Sequence, residues 1–327
     1  MIRHTIEISQ QPAHLAAKRK QLLLKRRGDT TRFFPFEDLG LVIVDHPAAT
    51  YSHAALRSMV DANAALVVCG KNHLPAGLLL PLGDHTEIVW RTQDQINAPK
   101  PLQKRLWKQI VQAKIRAQAD NLPNDGAARK KLLQLARTVK SGDTSNHEAQ
   151  AARIYWSEWL EDTAYETTDE FRRSRSGPAP NPLLNYGYAI LRAATARAVV
   201  AAGLLPMLGI QHCNRSNSFC LADDLMEPLR PLVDRTVRNL VDAGHVELTP
   251  ETKRPLLELL TCEVETGDRY GPLMVALHAL AVSLVKCFRR EEKALQIPRP
   301  VIASLAPVER NDSEHQPELL EDGDTQS

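Results

Sequence analysis

Features typical of secreted and membrane proteins are missing from this sequence. The five cysteines are odd in number and form no CxxC pair, which argues against a disulfide framework and favours reduced thiols. The chain opens without an apolar run, so we expect no signal peptide. The longest uncharged apolar segment, residues 198–210, has 13 residues and is too short to span a bilayer. We therefore expect a cytoplasmic protein that does not contact a membrane.

Aromatic residues are also scarce, at 5% of the 327 residues, although hydrophobic residues make up 43%. This length and hydrophobic content suffice for two domains with cores of their own. The low aromatic content and the abundance of alanine and leucine favour helix over sheet for much of the chain.

Strand patterns nevertheless dominate the first 95 residues. Polar and apolar residues alternate at the start, and short apolar runs follow that are typical of buried strands. Ser52 is a suitable N-cap for one helix within this region. The predicted strands cover residues 3–8, 14–18, 21–26, 39–44 and 65–69, with edge strands at 78–80 and 87–90.

The pattern changes to helix after a short stiff segment, Asn97-Ala98-Pro99-Lys100-Pro101. Leu102, Leu106, Ile110 and Lys114 then lie along one face of a helix, and a second basic helix is predicted near 127–138. The predicted fold class is α+β, with a small β-rich N-terminal domain followed by a larger all-α C-terminal domain. The predicted boundaries are 1–95 for the first domain, 96–101 for the linker, 102–305 for the helical domain and 306–327 for an acidic, disordered tail.

Charge is distributed unevenly, although the net charge is only +2. Residues 99–140 contain eleven basic and two acidic residues, whereas residues 309–327 contain seven acidic residues and one arginine. Basic charge concentrated in residues 99–140 favours a polyanion as partner, but a solvated helix surface would explain the same charges. Arginines in the 161–180 loop could contact phosphates or pair with local acids. The DNA-binding candidates are Lys104, Lys108, Arg172, Arg173 and Arg175.

Glu148 lies in the first turn of a predicted helix that Ser145 or Asn146 would cap. A carboxylate at that position is favoured by the helix dipole, so one interpretation is that Glu148 stabilises the N-terminus of the helix. The other reading is a ligand role, because Ala149 and Ala151 leave space around the carboxylate for a bound group.

The stretch from Asn181 to Asp234 combines a long apolar helix with a polar loop and an acidic turn. The helix begins at Asn181-Pro182 and ends near Gly203. Beyond it come His212 in the loop and a group of acids in the turn, Asp223, Asp224 and Glu227. Their spacing puts at least two carboxylates on one helix face.

One imidazole with two or more carboxylates favours Mg²⁺ or Mn²⁺ as the bound metal. A zinc site that recruits Cys213 and Cys220 beside His212 is the alternative. The six-residue gap between these cysteines is not a usual zinc spacing.

Four segments together resemble the CRISPR-associated adaptation integrases, the family of the first-numbered Cas protein. They are AARIYW after Glu148, then NPLLNYGYAILRA, LLPMLGIQH and LADDLMEPLRPLVDR. Their order and spacing between residues 148 and 234 are more specific than any one segment. The second and fourth segments are most similar in sequence to the form of the family found in type II systems, including the II-C branch.

The resemblance implies a β-rich N-terminal domain that dimerises and a helical domain that binds one divalent metal, Mg²⁺ or Mn²⁺. Carried over by motif, the metal ligands and catalytic residues are Glu148, His212 and Glu227. Asp223 and Asp224 become candidates for residues that hold those ligands in place without binding the metal themselves.

A reaction and a set of partners are also implied by the resemblance. The family joins a short DNA fragment to the CRISPR repeat by attack of a DNA 3′-hydroxyl on a phosphodiester, so no catalytic serine or cysteine is needed. The expected partners are double-stranded DNA, a second copy of this chain, and the second-numbered Cas protein in a heterohexamer. A hydrolytic metal-dependent nuclease and a non-catalytic DNA-binding scaffold are the alternatives. Ala149 and Gln211 replace a glycine and a second histidine of many relatives, but neither change removes a ligand.

Overall fold

The N-terminal strands form two four-stranded sheets. A computed structural model describes residues 3–26, 28–81, 86–161 and 171–301 of the protein. Its first eight strands are β1 (His4–Ile8), β2 (Ala13–Lys18), β3 (Gln21–Arg26), β4 (Arg32–Pro35), β5 (Leu39–Val44), β6 (Thr50–Tyr51), β7 (Ala65–Cys69) and β8 (Pro75–Leu79). One sheet has the order β1-β5-β7-β8, in which only β8 runs antiparallel to its neighbour. The other has the order β4-β3-β2-β6, in which β6 is parallel to β2.

Strand β5 lies between two hydrophobic cores. All six of its residues are buried, which explains why its sequence is continuously apolar rather than alternating. Leu41 and Ile43 belong to the core shared with the helices, whereas Val42 and Val44 belong to the core between the sheets. Alternate side chains of one strand therefore join the two parts of the chain.

The strands predicted at 14–18 and 21–26 and the helix predicted after Ser52 are confirmed. Strands β2 and β3 pair through a two-residue turn in which Arg19 and Lys20 have φ values of 49° and 61°, as the primed hairpin turns require. Helix α1 (His53–Asp61) begins after Ser52, whose hydroxyl accepts the backbone N–H of Ala55.

The strand predicted at residues 87–90 was wrong, because helix α2 (Ile88–Ile96) occupies this position. Val89 and Trp90 are exposed, so the apolar run that imitates a strand is not packed in the core. The helix is held instead by the Gln95 amide, which donates to the carbonyl oxygens of Leu205 and Leu208.

Eight helices and a small sheet make up the rest of the described structure. Only residues 97–99 separate α2 from the next helix, a shorter connection than the predicted linker, because Pro101 sits in the first turn of that helix, where proline is favoured. The helices are α3 (Lys100–Ala119), α4 (Ala127–Thr138), α5 (His147–Glu158), α6 (Asn181–Ala201), α7 (Cys220–Met226), α8 (Arg230–Asp242), α9 (Pro250–Glu258) and α10 (Leu273–Phe288). Strands β9 (Glu263–Thr266), β10 (Arg269–Pro272) and β11 (Arg299–Pro300) form an antiparallel sheet in the order β10-β9-β11.

The predicted α+β class is therefore confirmed, with strand sheets at the N-terminus and helices beyond. The small sheet shows that the second region is mainly, not purely, helical. All five cysteines are free thiols. No helix within the four described ranges is long and apolar enough to cross a membrane. The predicted acidic tail lies outside the described residues.

Helices α3 and α6 position the candidate site. Fifteen of the 21 residues of α6 are buried, and this helix packs against α7, α8, α9 and α10. Helix α3 crosses the same core and packs against α4, α5, α8 and the short turn at Glu227–Leu229. The elements that carry Glu148 and Glu227 therefore meet on α3.

Candidate metal centre

Glu148 occupies the first turn of α5, as predicted. Of the two predicted caps, Asn146 is the N-cap residue, but it has a left-handed conformation and its side chain makes no cap hydrogen bond. The Asp143 carboxylate accepts the backbone N–H groups of His147 and Glu148 instead, each at 2.9 Å. Because Asp143 satisfies these helix-end donors, the Glu148 carboxylate is left for other contacts.

His212 is held by a buried carboxylate twelve residues further along the chain. The Asp224 side chain, fully buried on α7, accepts the backbone N–H groups of Ile210 at 2.6 Å and Gln211 at 2.9 Å. Its other oxygen accepts the backbone N–H of His212 at 3.3 Å and bonds to Nδ1 of the ring at 2.5 Å. Asp224 therefore fixes both the loop and the imidazole.

The same loop depends on the absence of a side chain at Gly209. A Cβ placed there would lie 2.3 Å from the carbonyl oxygen of His212 and 2.9 Å from Oδ2 of Asp224. Any larger residue would therefore push the loop away from the carboxylate that orders it.

Glu227 follows α7 directly and begins a turn stabilised by Pro228. Its carboxylate is buried, and Oε1 lies 3.1 Å from Nε of Arg230. Oε2 lies 2.6 Å from Nζ of Lys114, a short ion pair. This buried carboxylate oxygen therefore already faces a cation.

Lys114 brings the two glutamates together. Its ammonium lies 2.7 Å from Oε1 of Glu148 and 2.6 Å from Oε2 of Glu227. Burial raises the pKa of Glu227, but Lys114 and then Arg230 lower it more, so that its pKa lies below the usual range. Both carboxylates thus face one cation position.

The imidazole of His212 adjoins this pair. Its hydrogen bond to Asp224 raises the pKa of His212 above its ordinary value, and the charges of Glu227 and Glu148 contribute in the same direction. The ring also packs edge-on against Trp107, with 5.6 Å between the ring centroids. Since Nδ1 is used by Asp224, Nε2 is the nitrogen left to bind a metal.

The described residues contain no group of three or more His, Cys, Asp or Glu side chains already arranged around a metal position. The donor set still fits Mg²⁺ or Mn²⁺, because two carboxylates converge on one cation beside an imidazole nitrogen. In the zinc alternative, Cys213 is exposed, whereas Cys220 is buried in α7 and hydrogen bonds to backbone carbonyls. Within the described ranges, His212, Cys213 and Cys220 are therefore not arranged around a common metal position.

Asp223 and Asp224 differ in what they contact. Asp224 touches His212, whereas the Asp223 carboxylate binds Arg192 through Nε at 2.6 Å and Nη2 at 2.7 Å. Asp223 also accepts the side-chain amide of Asn217 at 2.7 Å. Within the described structure, Asp223 therefore fastens α7 to α6 rather than supporting the imidazole.

A buried acid, Asp234, lines the same small cavity as Lys114. Asp234 accepts the hydroxyl of Tyr155 at 3.1 Å and that of Tyr188, and burial raises its pKa from 3.8 to about 7. The guanidinium groups of Arg173 and Arg230 lie 5.2 and 5.0 Å from the Tyr188 ring centroid. Two cations and one acid therefore surround a single aromatic ring.

Among the DNA-binding candidates, Lys104, Arg172 and Arg175 are exposed and Lys108 is partly exposed. Arg173 is anchored, because it donates to the side-chain oxygens of Asn181 and Asn185.

Sequence reasoning did not identify Lys114 or Arg230 as parts of the site. A signal existed for Lys114, because a lysine on the apolar face of a helix needs a charged partner. Arg230 follows Glu227 by three residues, a spacing at which helical side chains meet.

The fold is shared with chains of several solved structures. A casposase bound to an integration product has a TM-score of 0.72 and 19% identity, covering 90% of this chain and 92% of that one. A chain of a Cas6-RT-Cas1–Cas2 complex has a TM-score of 0.70 and 19% identity, covering 90% of this chain and 36% of that one. At such identities the likeness is one of fold.

Sequence comparison identifies the family. The family model "CRISPR associated protein Cas1" matches residues 6–256. A CRISPR-associated endonuclease Cas1 from Neisseria meningitidis serogroup C is 36% identical over 296 residues, covering 89% of this chain and 94% of that protein. This chain belongs to the Cas1 family, and the predicted resemblance is confirmed.

Proposed function

We propose that this chain is a metal-dependent DNA integrase of CRISPR spacer acquisition. The proposed reaction is attack of a spacer DNA 3′-hydroxyl on a phosphodiester of the repeat, by transesterification. Family membership supports it, as does the fold shared with a casposase bound to an integration product. The observation that carries it is the convergence of Glu148 and Glu227 on one cation position beside His212.

In this proposal Glu148, His212 and Glu227 hold one Mg²⁺ or Mn²⁺ ion. Bound there, the ion would polarise the scissile phosphate and stabilise charge on the leaving oxygen. Asp224 keeps the proton on Nδ1 of His212, which leaves Nε2 as the donor atom. The backbone N–H groups that Asp224 accepts fix the loop, so the imidazole stays oriented.

The neighbouring cations would bind the DNA. Arg230 lies beside the Glu227 carboxylate, and the anchored Arg173 lies over the Tyr188 ring that Arg230 also contacts. Guanidinium groups at these positions suit phosphate oxygens. Exposed Lys104 and Arg172 would neutralise backbone phosphates further away without reading the sequence.

The proposed partners are double-stranded DNA, a second copy of the chain and a Cas2 protein in a heterohexamer. The fold that this chain shares with a chain of a Cas6-RT-Cas1–Cas2 complex supports the Cas2 partner. Phe33 on one N-terminal sheet and Val68 and Leu79 on the other are exposed apolar side chains, and dimerisation through this region would remove such surface from water.

A joining assay tests the reaction. Labelled DNA with a free 3′-hydroxyl is incubated with repeat DNA and Mn²⁺, and joined product is measured for the wild type, Glu148→Gln and Glu227→Gln. We expect joining only with the wild type and with Glu258→Gln, an exposed control on α9. DNA that lacks the 3′-hydroxyl should not join.

The alternatives predict different products. Cleavage of the repeat without joining would favour a hydrolytic nuclease. DNA binding with neither product would favour a non-catalytic scaffold, and both outcomes would contradict the integrase proposal.

A further inference from the structure

Lys114 is a charged residue on the buried side of α3. It continues the apolar series at four-residue spacing that begins at Leu102, so the helix itself directs this side chain inward. Its ammonium makes short ion pairs with both Glu148 and Glu227. A lysine is rarely buried unless its charge is paired, and here one ammonium pairs with two carboxylates.

The charges of this triad stabilise one another. Burial lowers the pKa of Lys114, but Glu227 and then Glu148 raise it above the usual range. The ion pairs thus favour the charged forms of Lys114 and Glu227. An ionised carboxylate is the form that a metal ligand must have.

We propose that Lys114 competes with the divalent metal for the position between Glu148 and Glu227. The inference rests on the proposed metal site and adds its regulation. In the free protein the ammonium holds the two acids in place, and a metal binds when the ammonium moves out. The apparent free energy of metal binding is then the difference between the interaction free energies of the metal and of the ammonium with this pair of carboxylates.

A small cavity gives the displaced side chain room to move. It measures about 80 Å³ and is lined by Lys114, Gln118, Tyr188, Arg230 and Asp234, among others. A lysine has a flexible four-carbon stem, so its ammonium can turn towards this cavity while α3 stays fixed. Asp234 offers it a carboxyl group there.

Mn²⁺ binding to the free protein tests the inference without any DNA reaction. Free Mn²⁺ is followed by electron paramagnetic resonance during titration of the wild type, Lys114→Met and Lys114→Gln at slightly alkaline pH. We expect Kd to fall by roughly tenfold or more in both variants, because the removed charge was the competitor. Lys286→Met, which removes a half-exposed lysine paired with one acid, should bind Mn²⁺ like the wild type.

Thermal unfolding gives a second measurement. Without metal, Lys114→Met should unfold at a lower temperature than the wild type, because Glu148 and Glu227 lose the cation that lies between them. Mn²⁺ should raise its unfolding temperature more than it raises that of the wild type. Lys114→Gln retains a donor and keeps the test valid if Lys114→Met does not fold.

The outcomes separate this inference from the metal site itself. Equal or weaker Mn²⁺ binding by both Lys114 variants would overturn the competition, even if Glu227→Gln abolishes binding and the site stands. Mn²⁺ binding that is undiminished in Glu227→Gln, or absent from every protein, would overturn the metal site and the competition together.

Discussion

Replacing Asp224 with asparagine should weaken metal binding while preserving the fold. The Asp224 carboxylate accepts hydrogen bonds through both oxygens, whereas asparagine has one oxygen and one NH₂ group. If the oxygen keeps the N–H groups of Ile210 and Gln211, the NH₂ group faces Nδ1 of His212. The imidazole must then accept at Nδ1 and carry its proton on Nε2, and a protonated Nε2 cannot bind a metal.

The magnitude follows from the bonds that change. One charge-assisted hydrogen bond is lost and a backbone N–H of the loop faces a second donor, which together cost about 3 kcal/mol of unfolding free energy. The wrong tautomer should weaken metal affinity by about 10- to 100-fold, the usual effect of losing such a supporting partner.

Mn²⁺ titration and chemical denaturation measure the two effects. The matched control is Asp223→Asn, since Asp223 binds Arg192 and Asn217 instead of His212. The control should lose stability but keep the wild-type Mn²⁺ affinity. If Asp224→Asn bound Mn²⁺ as tightly as the wild type, or if Asp223→Asn lost as much affinity, the assigned role of Asp224 would be refuted.

Four further predictions follow from neighbouring features. Gly209→Ala should cost about 2 kcal/mol of unfolding free energy and weaken Mn²⁺ binding, because its Cβ would lie 2.3 Å from a backbone oxygen; an unchanged denaturation midpoint would contradict this. Lys253→Met should cost about 3 kcal/mol in chemical denaturation, because it leaves buried Asp45, 2.6 Å away, without its cation; a loss below the experimental error would argue against that pair. The folded pKa of Asp234 is raised from 3.8 to about 7, so the folded state binds the extra proton and the unfolding free energy falls as pH rises across that window, by up to about 4 kcal/mol. Denaturation of Asp234→Asn across this range should lack that slope, and parallel profiles would disprove it. DNA affinity should fall by roughly a hundredfold between about 50 and 200 mM salt if several phosphates are contacted; a flat response in a fluorescence titration would exclude the basic surface.

Local patterns predicted the secondary structure well where the signal was continuous. The helix at 127–138 and the buried strand at 39–44 match the structure, because regular periodicity and continuous apolar runs act over short distances. The strand predicted at 87–90 was wrong, because its exposed apolar residues imitate a strand. Contacts with residues 202–208 and the ion pair of Asp94 with Arg289 hold this segment as a helix, and no local pattern reveals them.

The candidate ligands could be chosen from the sequence only through the family motifs. Composition and spacing left three acids open in the turn, and the structure shows why they differ: Asp223 binds Arg192, Asp224 binds His212, and Glu227 faces Lys114. Their chemistry is the same, so only tertiary contacts distinguish them.

The contact between Lys114 and the two glutamates was beyond sequence reasoning. Glu148 is 34 residues away along the chain, and no local rule pairs residues at that distance. The helix pattern placed Lys114 on the correct face but could not show what lies opposite.

The proposed metal site is tested most directly by an anomalous difference map from crystals of this protein grown with Mn²⁺. We expect one strong peak in contact with a Glu148 oxygen, Nε2 of His212 and a Glu227 oxygen, with the Lys114 ammonium moved aside. A peak at other residues, or none at a saturating Mn²⁺ concentration, would contradict it.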